Sequence, residues 1–255
     1  MGPYIFGFIV LALLFIVFMV YKAHQDHLRY NKISISKHTM DNEQINLFFI
    51  SDIHKRIIKE HTLAQIQQPL DLVIIGGDLT ESKVPWSKVS TNLARLHRMQ
   101  APIFFIWGNN DYEVDRYKLL QLLVDQHVHI LTNETVNITL KNNRAVSLIG
   151  VDDPDNSSPI MDLLVREAAG EVVILLSHRP SVFEEMEDVF TSAIDVVLSG
   201  HTHGGQIRIF GFGPYTRGGV KQMNSKPILI SEGYGYTSLP FRLGTTAECH
   251  VVTIL

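Results

Sequence analysis

The sequence feature that most constrains the fold is a series of five short apolar runs, each ending in an aspartate, an asparagine or a histidine. The runs read FFISDIH, VIIGGD, FFIWGNND, VILLSH and VVLSGHTH. Segments with helical spacing lie between several of them, among them HTLAQIQQPL, WSKVSTNLARLHRM and RYKLLQLLVDQHV. Buried strands that alternate with helices are typical of a largely parallel sheet with helices on both sides. We therefore predict one mixed α/β domain.

The second half of the chain predicts a hairpin, two further helices and a β-rich tail. The segment ETVNITLKNNRAVSLIGVDD contains two alternating runs joined at Asn142–Asn143, which is typical of a hairpin. We expect helices near Asp162–Ala169 and through Phe183–Phe190. The tail, PILISEGYGYTSLPFRLGTTAECHVVTIL, predicts β structure throughout.

The N-terminal segment between Tyr4 and Tyr21, YIFGFIVLALLFIVFMVY, carries no charged residue. Its length is close to the lower limit for a membrane-spanning helix, which is roughly 17–25 residues. The two tyrosines bracket it as interfacial aromatic residues do. A signal peptide or a buried helix is the alternative, but MGPY lacks a basic side chain and VYKAHQDH offers no good cleavage site. We predict a transmembrane anchor over residues 1–21.

The flank of this segment predicts its orientation. The basic residues Lys22, Arg29, Lys32 and Lys37 follow it, and Asp26 is the acidic residue among them. The positive-inside rule then places the rest of the chain in the cytoplasm, at the cell membrane. Residues 22–45 are polar with little periodicity, so we predict a tether there and a folded domain over residues 46–255.

Composition restricts the partners of the chain. The net charge of −4 gives no reason to expect nucleic-acid binding, which usually requires a basic patch. Cys249 is the single cysteine, so no disulfide can form within the chain. This suits a reducing compartment, although many exported proteins also lack disulfides.

The polar ends of the five runs predict a metal site. Ligand sites of open α/β sheets form at the carboxyl ends of the strands, so these ends should converge. Oxygen and imidazole donors suit Mn, Fe, Zn or Co, and the number of donors fits two ions about 3.5–4 Å apart. Each residue alone could be a helix cap, a core histidine or a turn, but five such endings in order favour a metal centre. The candidate ligands are Asp52, His54, Asp78, Asn109, His178, His201 and His203.

The series D-x-H, G-D, G-N-x-D, H and G-H-x-H, between Asn46 and Gln206, resembles the calcineurin-like metallophosphoesterases. The tail segment SEGYGYTSLPFRLG is similar to the small bacterial membrane-associated phosphodiesterase branch of that superfamily. The resemblance implies a four-layer α-β-β-α sandwich, in which two β-sheets pack between helices.

The resemblance also implies a dinuclear site with manganese as the leading candidate and Fe, Zn or Co as alternatives. It implies that Asp78 bridges the two metals together with a hydroxide, which attacks phosphorus. It assigns one metal to Asp52, His54 and His203, and the other to Asn109, His178 and His201.

The sequence departs from the family at one position. The family usually reads G-N-H-D, and this chain has Asn110 in place of that histidine. An amide can donate a hydrogen bond to a phosphate oxygen but cannot deliver a proton at neutral pH. A missing general acid typically costs about 10²–10⁴-fold in rate. Asn110 and Asp111 are the catalytic candidates, and the role of Asp111 is open because its usual partner is the absent histidine.

Other residues are weaker candidates. Arg208 and Arg242 lie in glycine-rich loops and could clamp a phosphate, as could Arg217, although solvated arginines are commoner. His127 and His129 favour a surface or core position, with replacement of the absent acid as the alternative. An apolar pocket or the core could hold the aromatic residues Phe210, Phe212, Tyr215, Tyr234, Tyr236 and Phe241.

We predict a membrane-anchored dinuclear-metal phosphohydrolase that cleaves phosphodiester or phosphoanhydride bonds of a phosphorylated small molecule or a lipid-linked substrate. One alternative is a non-catalytic protein that keeps the metals and binds a phosphorylated ligand, and Asn110 favours it. The other is a metallonuclease of the same fold, against which the acidic balance and the anchor argue.

Overall fold

The computed structural model describes residues 2–35 and 44–255, which form two β-sheets with helices on their outer faces. The first sheet contains β1 (His27–Ile33), β2 (Ile45–Ile50), β3 (Leu72–Gly76), β4 (Ile103–Ile106), β5 (His129–Leu131) and β12 (Glu248–Ile254). The second contains β6 (Glu134–Thr139), β7 (Ala145–Gly150), β8 (Val172–Leu176), β9 (Val196–Ser199), β10 (Gly219–Met223) and β11 (Lys226–Ile230). The helices are α1 (Gly2–His24), α2 (Glu60–Leu63), α3 (Trp86–His97), α4 (Arg116–Asp125), α5 (Met161–Glu167), α6 (Ser181–Glu184) and α7 (Asp188–Thr191).

The strand order is β1-β12-β2-β3-β4-β5 in the first sheet and β10-β11-β9-β8-β7-β6 in the second. The central strands β2, β3 and β4 pair in parallel, and so do β7, β8 and β9. Their carboxyl ends therefore point the same way within each sheet, which is the arrangement that the alternating strands and helices predict.

Three apolar layers hold the sheets and helices together. In β2, Leu47 and Phe49 face the second sheet, whereas Phe48 and Ile50 face the helices that cover the first. A third layer, which includes Phe183, joins the outer face of the second sheet to its helices. Strands buried on both faces read as continuous apolar runs, which explains FFI and VII in the sequence. The predicted α-β-β-α sandwich is confirmed.

Most of the predicted elements are present. The hairpin of β6 and β7 turns at Asn142–Asn143, with Thr139 paired to Ala145. The predicted helix over Phe183–Phe190 is instead the two one-turn helices α6 and α7, because Glu187 takes an extended conformation between them. The tail contains β11 and β12, but residues 231–247 between them form a loop and not a strand. Three carbonyl oxygens of this loop accept hydrogen bonds from a buried arginine.

The prediction of a tether over residues 22–45 is wrong for residues 27–33, which form β1. This strand pairs in parallel with β12, from His27 opposite Glu248 to Ile33 opposite Ile254. The cause is a set of contacts that periodicity does not reveal: Ile33 is buried between the sheets, and Asp26 forms a buried ion pair with Arg56. Lys37, which contributed to the predicted orientation, lies outside the described residues.

Within residues 2–35 and 44–255, one helix is long and apolar enough to cross a membrane, and it runs from Pro3 to His24. The predicted span from Tyr4 to Tyr21 lies inside it, and most of its apolar side chains are exposed. The helix is consistent with a single membrane-spanning segment. Only its last turns pack on the domain, through Met19 and Ala23.

Candidate metal centre

The candidate ligands follow the carboxyl ends of strands from both sheets and meet at one place. Asp52 and His54 follow β2, Asp78 follows β3, and Asn109 follows β4. From the second sheet, His178 follows β8, and His201 and His203 follow β9. The parallel register of the strands is thus what brings residues distant in sequence to one place.

Asp52, His54 and His203 form one compact group of donors. Each offers an atom within 4.8 Å of the others, and all three side chains are buried. The Nε2 atoms of His54 and His203 are 3.1 Å apart, and Asp52 Oδ1 lies 3.3 Å from His203 Nε2. Two imidazole nitrogens and a carboxylate oxygen that face one point are the arrangement that a transition metal requires.

A second group contains Asp52, Asp78 and His178, again with donor atoms within 4.8 Å. Asp78 Oδ2 lies 3.3 Å from His178 Nε2 and 3.6 Å from His54 Nε2, so it stands between the two groups. The ring of His201 lies 5.1 Å from that of His178. Asn109 Oδ1 is buried and has no hydrogen-bond partner among the described residues. All seven predicted ligands therefore lie at this centre, while the assignment of each to one metal stays a prediction.

The Nδ1 atoms of two donor histidines lie close to oxygen atoms of the surrounding protein. His54 Nδ1 lies 3.0 Å from Glu81 Oε2, and His178 Nδ1 lies 2.8 Å from the carbonyl oxygen of Gly76. When Nδ1 is the protonated nitrogen, Nε2 of each ring presents its lone pair to the centre. Sequence reasoning missed Glu81, although it lies three residues after Asp78 in the run GGDLTE.

The carboxylates are supported in the same way. The Ser51 hydroxyl donates to Asp52 Oδ2 over 2.5 Å, and the His201 backbone N–H lies 3.1 Å from both oxygens of Asp52. The Asn110 backbone N–H donates to Asp78 Oδ1 over 2.8 Å. Support of this kind fixes the direction in which each ligand faces.

Five candidate ligands have a left-handed backbone conformation. The φ angles are +54° for Asp52, +49° for His54, +51° for Asp78, +69° for His201 and +49° for His203. Such conformations are uncommon for residues with a side chain and cost about 1–3 kcal/mol each. They persist where the surrounding structure imposes them, and they cluster at functional sites.

Two glycines allow the strands to approach the centre closely. A Cβ atom at Gly108 would lie 2.2 Å from Asp78 Oδ1, and one at Gly200 would lie 2.6 Å from Asp52 Oδ2. Any other residue would displace a carboxylate. This agrees with the expectation that glycines beside the donors clear space for them.

The electrostatics favour positive charge beside the two carboxylates but a neutral imidazole at His201. Burial alone would raise the pKa of Asp52, but His203, His178 and His54 lower that pKa well below its usual range. Burial would lower the pKa of His178, but Asp78 and Asp52 raise it to about 10. Burial and the charge of His178 lower the pKa of His201 to about 4. The space between the two carboxylates thus stabilises a cation, and these donors fit divalent metal ions.

The centre forms the floor of an open pocket with a cavity volume of about 340 Å³. His54, Asp78, Asn109, Asn110, His201 and His203 line its base. Gln206, Tyr215 and Thr237 stand on its wall. A phosphate group entering the pocket would meet the donors of both groups.

Asn110 faces this pocket, whereas Asp111 is fully buried. Asn110 Nδ2 donates to Glu113 Oε1 over 2.9 Å, and Asn110 Oδ1 accepts from Asn109 Nδ2 over 3.0 Å. Asp111 accepts the backbone N–H groups of Gly108 and Thr80, at 3.0 and 3.1 Å. The geometry of Asp111 favours a positioning role in this turn over contact with a substrate.

The location of Arg242 corrects the prediction that it binds substrate. Its side chain is 0% exposed, and its guanidinium donates to the carbonyl oxygens of Glu232, Gly233 and Gly235. Arg242 therefore holds the loop behind His203, to whose Nδ1 atom it comes within 3.3 Å.

Arg208 is not among the residues that line the pocket. Arg208 donates from all three guanidinium nitrogens to carbonyl oxygens of its own loop. His127 and His129 are exposed, which agrees with the surface position expected for them, and neither lines the pocket. Tyr234 is a core residue, whereas Tyr215 lines the pocket. The sequence alone did not distinguish the aromatic residue that lines the pocket from the one that belongs to the core.

The family model of the calcineurin-like phosphoesterases matches residues 45–205. The chain belongs to this family, and its metallophosphoesterase fold carries a possible metal site in Asp52, His54, Asp78, His178 and His203. Membership makes the hydrolysis of a phosphoester the expected chemistry, without specifying the substrate.

Several relatives share most of the chain. The Bacillus subtilis (strain 168) protein named "Uncharacterized protein YpbG" is 40% identical over 234 residues, 91% of this chain and 89% of that protein. "Uncharacterized metallophosphoesterase YkoQ" of the same organism is 28% identical and covers 93% of this chain and 95% of its own. "Transmembrane protein with metallophosphoesterase domain" of Bos taurus is 29% identical over 70% of this chain and 44% of that protein.

Among solved structures, the 5'-nucleotidase precursor from Thermus thermophilus superposes with a TM-score of 0.52 at 12% identity. The match covers 82% of this chain and 55% of that chain. Similarity at this level supports the fold alone.

Proposed function

We propose that this protein is a membrane-anchored dinuclear-metal phosphohydrolase that cleaves phosphodiester or phosphoanhydride bonds. The observation that carries the proposal is the convergence of two donor groups on the floor of one open pocket. Family membership supports the reaction class.

The ligand set follows the predicted assignment. Asp52, His54 and His203 would hold one ion, and Asn109, His178 and His201 the other, with Asp78 between them; manganese is our first choice, with Fe, Zn or Co as alternatives. When bound, the ions would supply Lewis-acid stabilisation of the phosphate oxygens and lower the pKa of a water molecule. Asn109 Oδ1 has no hydrogen-bond partner in the part of the chain that the structure describes, and Asp78 lies between His54 and His178; both observations support this assignment.

Asn110 would orient the substrate without protonating it. Its Nδ2 already donates to Glu113, so one N–H remains for a phosphate oxygen. Without a general acid, the reaction depends on how well the leaving group departs unprotonated. An alkoxide is a poor leaving group, whereas a phosphate or an aryl oxide is a weaker base. We therefore propose a preference for phosphoanhydride or aryl ester bonds over alkyl diesters.

The proposed anchor would bring the catalytic domain to substrates of the cell membrane. The apolar helix α1 and the basic residues after it support a single crossing with the catalytic domain in the cytoplasm. The name of the Bos taurus relative is in keeping with such an arrangement. A phosphorylated lipid, such as one that carries a nucleotide diphosphate, fits this location better than a freely diffusing substrate.

The proposal is tested by turnover of bis(4-nitrophenyl) phosphate by the full chain in detergent with Mn²⁺. We expect sustained turnover that Asp78→Ala abolishes, because this change removes the donor between the two groups. Asp162→Ala, on the exposed surface, serves as the matched control. Metal loading without turnover would instead support the non-catalytic binder that Asn110 favours.

The leaving-group preference is tested by restoring the family histidine. Asn110→His should accelerate alkyl diester hydrolysis by about 10²–10⁴-fold and anhydride hydrolysis much less. Equal acceleration of both substrates, or of neither, would remove the leaving-group argument. The rates of the wild-type protein on both substrates provide the reference.

A further inference from the structure

The loop that follows the last candidate ligands exposes a group of large apolar side chains. We define the apolar tip as residues 207–215. Within it Ile209 is 59% exposed, Phe210 97% and Phe212 82%. Contiguous exposed apolar patches on a folded protein usually mark a protein or membrane contact.

The backbone of the apolar tip directs these side chains outward. Ile209 and Phe212 each accept the other's backbone N–H over 2.9 Å, which closes a two-residue hairpin turn. The central residues have positive φ angles, +50° for Phe210 and +86° for Gly211. Turns of this kind prefer Asn-Gly, so an exposed phenylalanine at the first position is unfavourable both for the backbone and for hydration. A binding role would explain why it stands there.

Arg208 fixes the tip in this conformation. Its guanidinium donates to the carbonyl oxygens of Gly204 at 2.9 Å, Tyr215 at 2.6 Å and Gly211 at 3.0 Å. These bonds span the loop from the metal centre to the far side of the turn. Hydrogen bonds from Arg208 therefore fix the loop that carries the apolar side chains. Arg208, a candidate phosphate ligand by sequence, has this structural role in the loop.

The tip is continuous with the end of the apolar helix α1. The backbone N–H of Arg208 donates to the carbonyl oxygen of Leu243 over 2.7 Å, and that of Arg242 donates to Met19 over 3.2 Å. Met19 lies inside the uncharged segment of α1, near its end. The ring of Tyr236 lies 5.5 Å from that of His24, the last residue of α1. If α1 crosses a bilayer, the loop beside the tip lies at the bilayer surface.

We propose that the apolar tip inserts into the interfacial region of the same bilayer that α1 crosses, so that the pocket opens toward the lipid headgroups. This rests on the proposed membrane anchor. Aromatic and aliphatic side chains at a membrane interface bury their apolar part there. Tyr215 belongs to the tip and also lines the pocket, and Gln206 adjoins the tip from the pocket wall. A phosphorylated lipid headgroup can thus enter the pocket without leaving the membrane.

The test is a depth measurement on the full chain in nanodiscs of phosphatidylcholine and phosphatidylglycerol. A nitroxide is attached at Phe210→Cys or Phe212→Cys, and the native Cys249 is fully buried and so does not compete. Tyr117→Cys on α4, which is 86% exposed, is the aqueous control, and Leu13→Cys in α1 is the bilayer control. Collisions with oxygen, which partitions into lipid, are compared with those of a water-soluble nickel complex.

We expect the oxygen-to-nickel collision ratio at positions 210 and 212 to exceed that at 117 several-fold. If both tip positions match 117 while position 13 reports lipid, the tip proposal is overturned and the anchor stands. If position 13 also matches 117, the proposed anchor fails and the tip proposal fails with it. Shielding of the tip from both reagents, with dipolar coupling between labels, would indicate a second copy of the chain on the tip and would also overturn the proposal.

Discussion

Asp26, in the segment that follows α1, offers the sharpest test of how the apolar helix is joined to the domain. Its side chain and that of Arg56 are each 4% exposed, and the two form an ion pair. The hydroxyl of Thr62 donates to Asp26 over 2.9 Å, and the hydroxyl of Tyr234 also donates to it. A tether would leave Asp26 in water, so substitution there distinguishes a tether from a docked segment.

Asp26→Asn should lower the free energy of unfolding by about 3–5 kcal/mol, because it leaves the Arg56 guanidinium buried without its anion. Since Asn keeps an acceptor oxygen, the lower end of this range is expected. The control is Asp162→Asn, whose ion pair with Arg166 spans 2.8 Å on the surface. Exposed pairs of this kind contribute about 0–1 kcal/mol.

The same ion pair predicts a pH dependence. Burial alone would raise the pKa of Asp26, but Arg56 and the hydrogen bonds of Tyr234 and Thr62 lower it below its ordinary value. An aspartate with a lowered pKa in the folded state stabilises the protein above its unfolded pKa, which is about 3.9. This contribution is lost as the pH falls from about 4 through the folded-state pKa, and Asp26→Asn should lack that part of the curve.

The assay is guanidinium unfolding of the full chain in detergent, followed by circular dichroism between about pH 3 and pH 7. Asp26→Asn and Asp162→Asn should differ by at least about 2 kcal/mol at neutral pH. Equal stabilities would refute the reasoning, since the segment after α1 would then not be held on the domain.

Three further predictions concern the metal centre and the orientation of the chain. His178→Ala should leave about one metal per chain with the fold intact, as measured by elemental analysis; retention of two would show that His178 is not a ligand. Gly200→Ala should weaken metal affinity by about 10–100-fold, because its Cβ would clash with Ser51 Oγ and Asp52 Oδ2, whereas Gly7→Ala, where no atom lies within 4 Å, should have no effect. Protease added to cells stripped of their wall should spare the domain, and digestion would place the domain outside the cytoplasm.

The sequence predicted the fold and the convergence of the candidate ligands because both follow from local rules. Strands buried on two faces read as apolar runs, and parallel strands bring their carboxyl ends to one edge. Asp78 and His178 could be named from the residues that end such runs. The same rules failed for β1, because HLRYNKI has few apolar residues and pairs with β12, which is distant in sequence. Long-range pairing of an edge strand leaves little trace in its own composition.

Burial of charged side chains was the second point that sequence could not predict. Arg242 and Arg208 stand in similar glycine-rich segments, and both suit phosphate binding by residue type. In the structure each satisfies backbone carbonyl oxygens that no strand pairs with. An irregular loop needs such donors, since buried carbonyl groups without partners are costly. Whether an arginine binds ligand or loop therefore depends on the folded backbone around it.

The backbone of the ligands shows why the metal centre and the stability of the domain are linked. Asp52, His54, Asp78, His201 and His203 have left-handed conformations, each of which costs about 1–3 kcal/mol. Their sum is on the order of 5 kcal/mol or more, comparable with the net stability of a typical domain, about 5–15 kcal/mol. The three apolar layers must offset this strain, and a metal ion bound by these residues would add stability because it would favour the folded state. Glycine would relieve the strain at each position but would remove the donor. The candidate ligands therefore keep unfavourable backbone conformations for the sake of their side chains, and local propensity, which predicts only favourable backbone, could not have indicated these conformations.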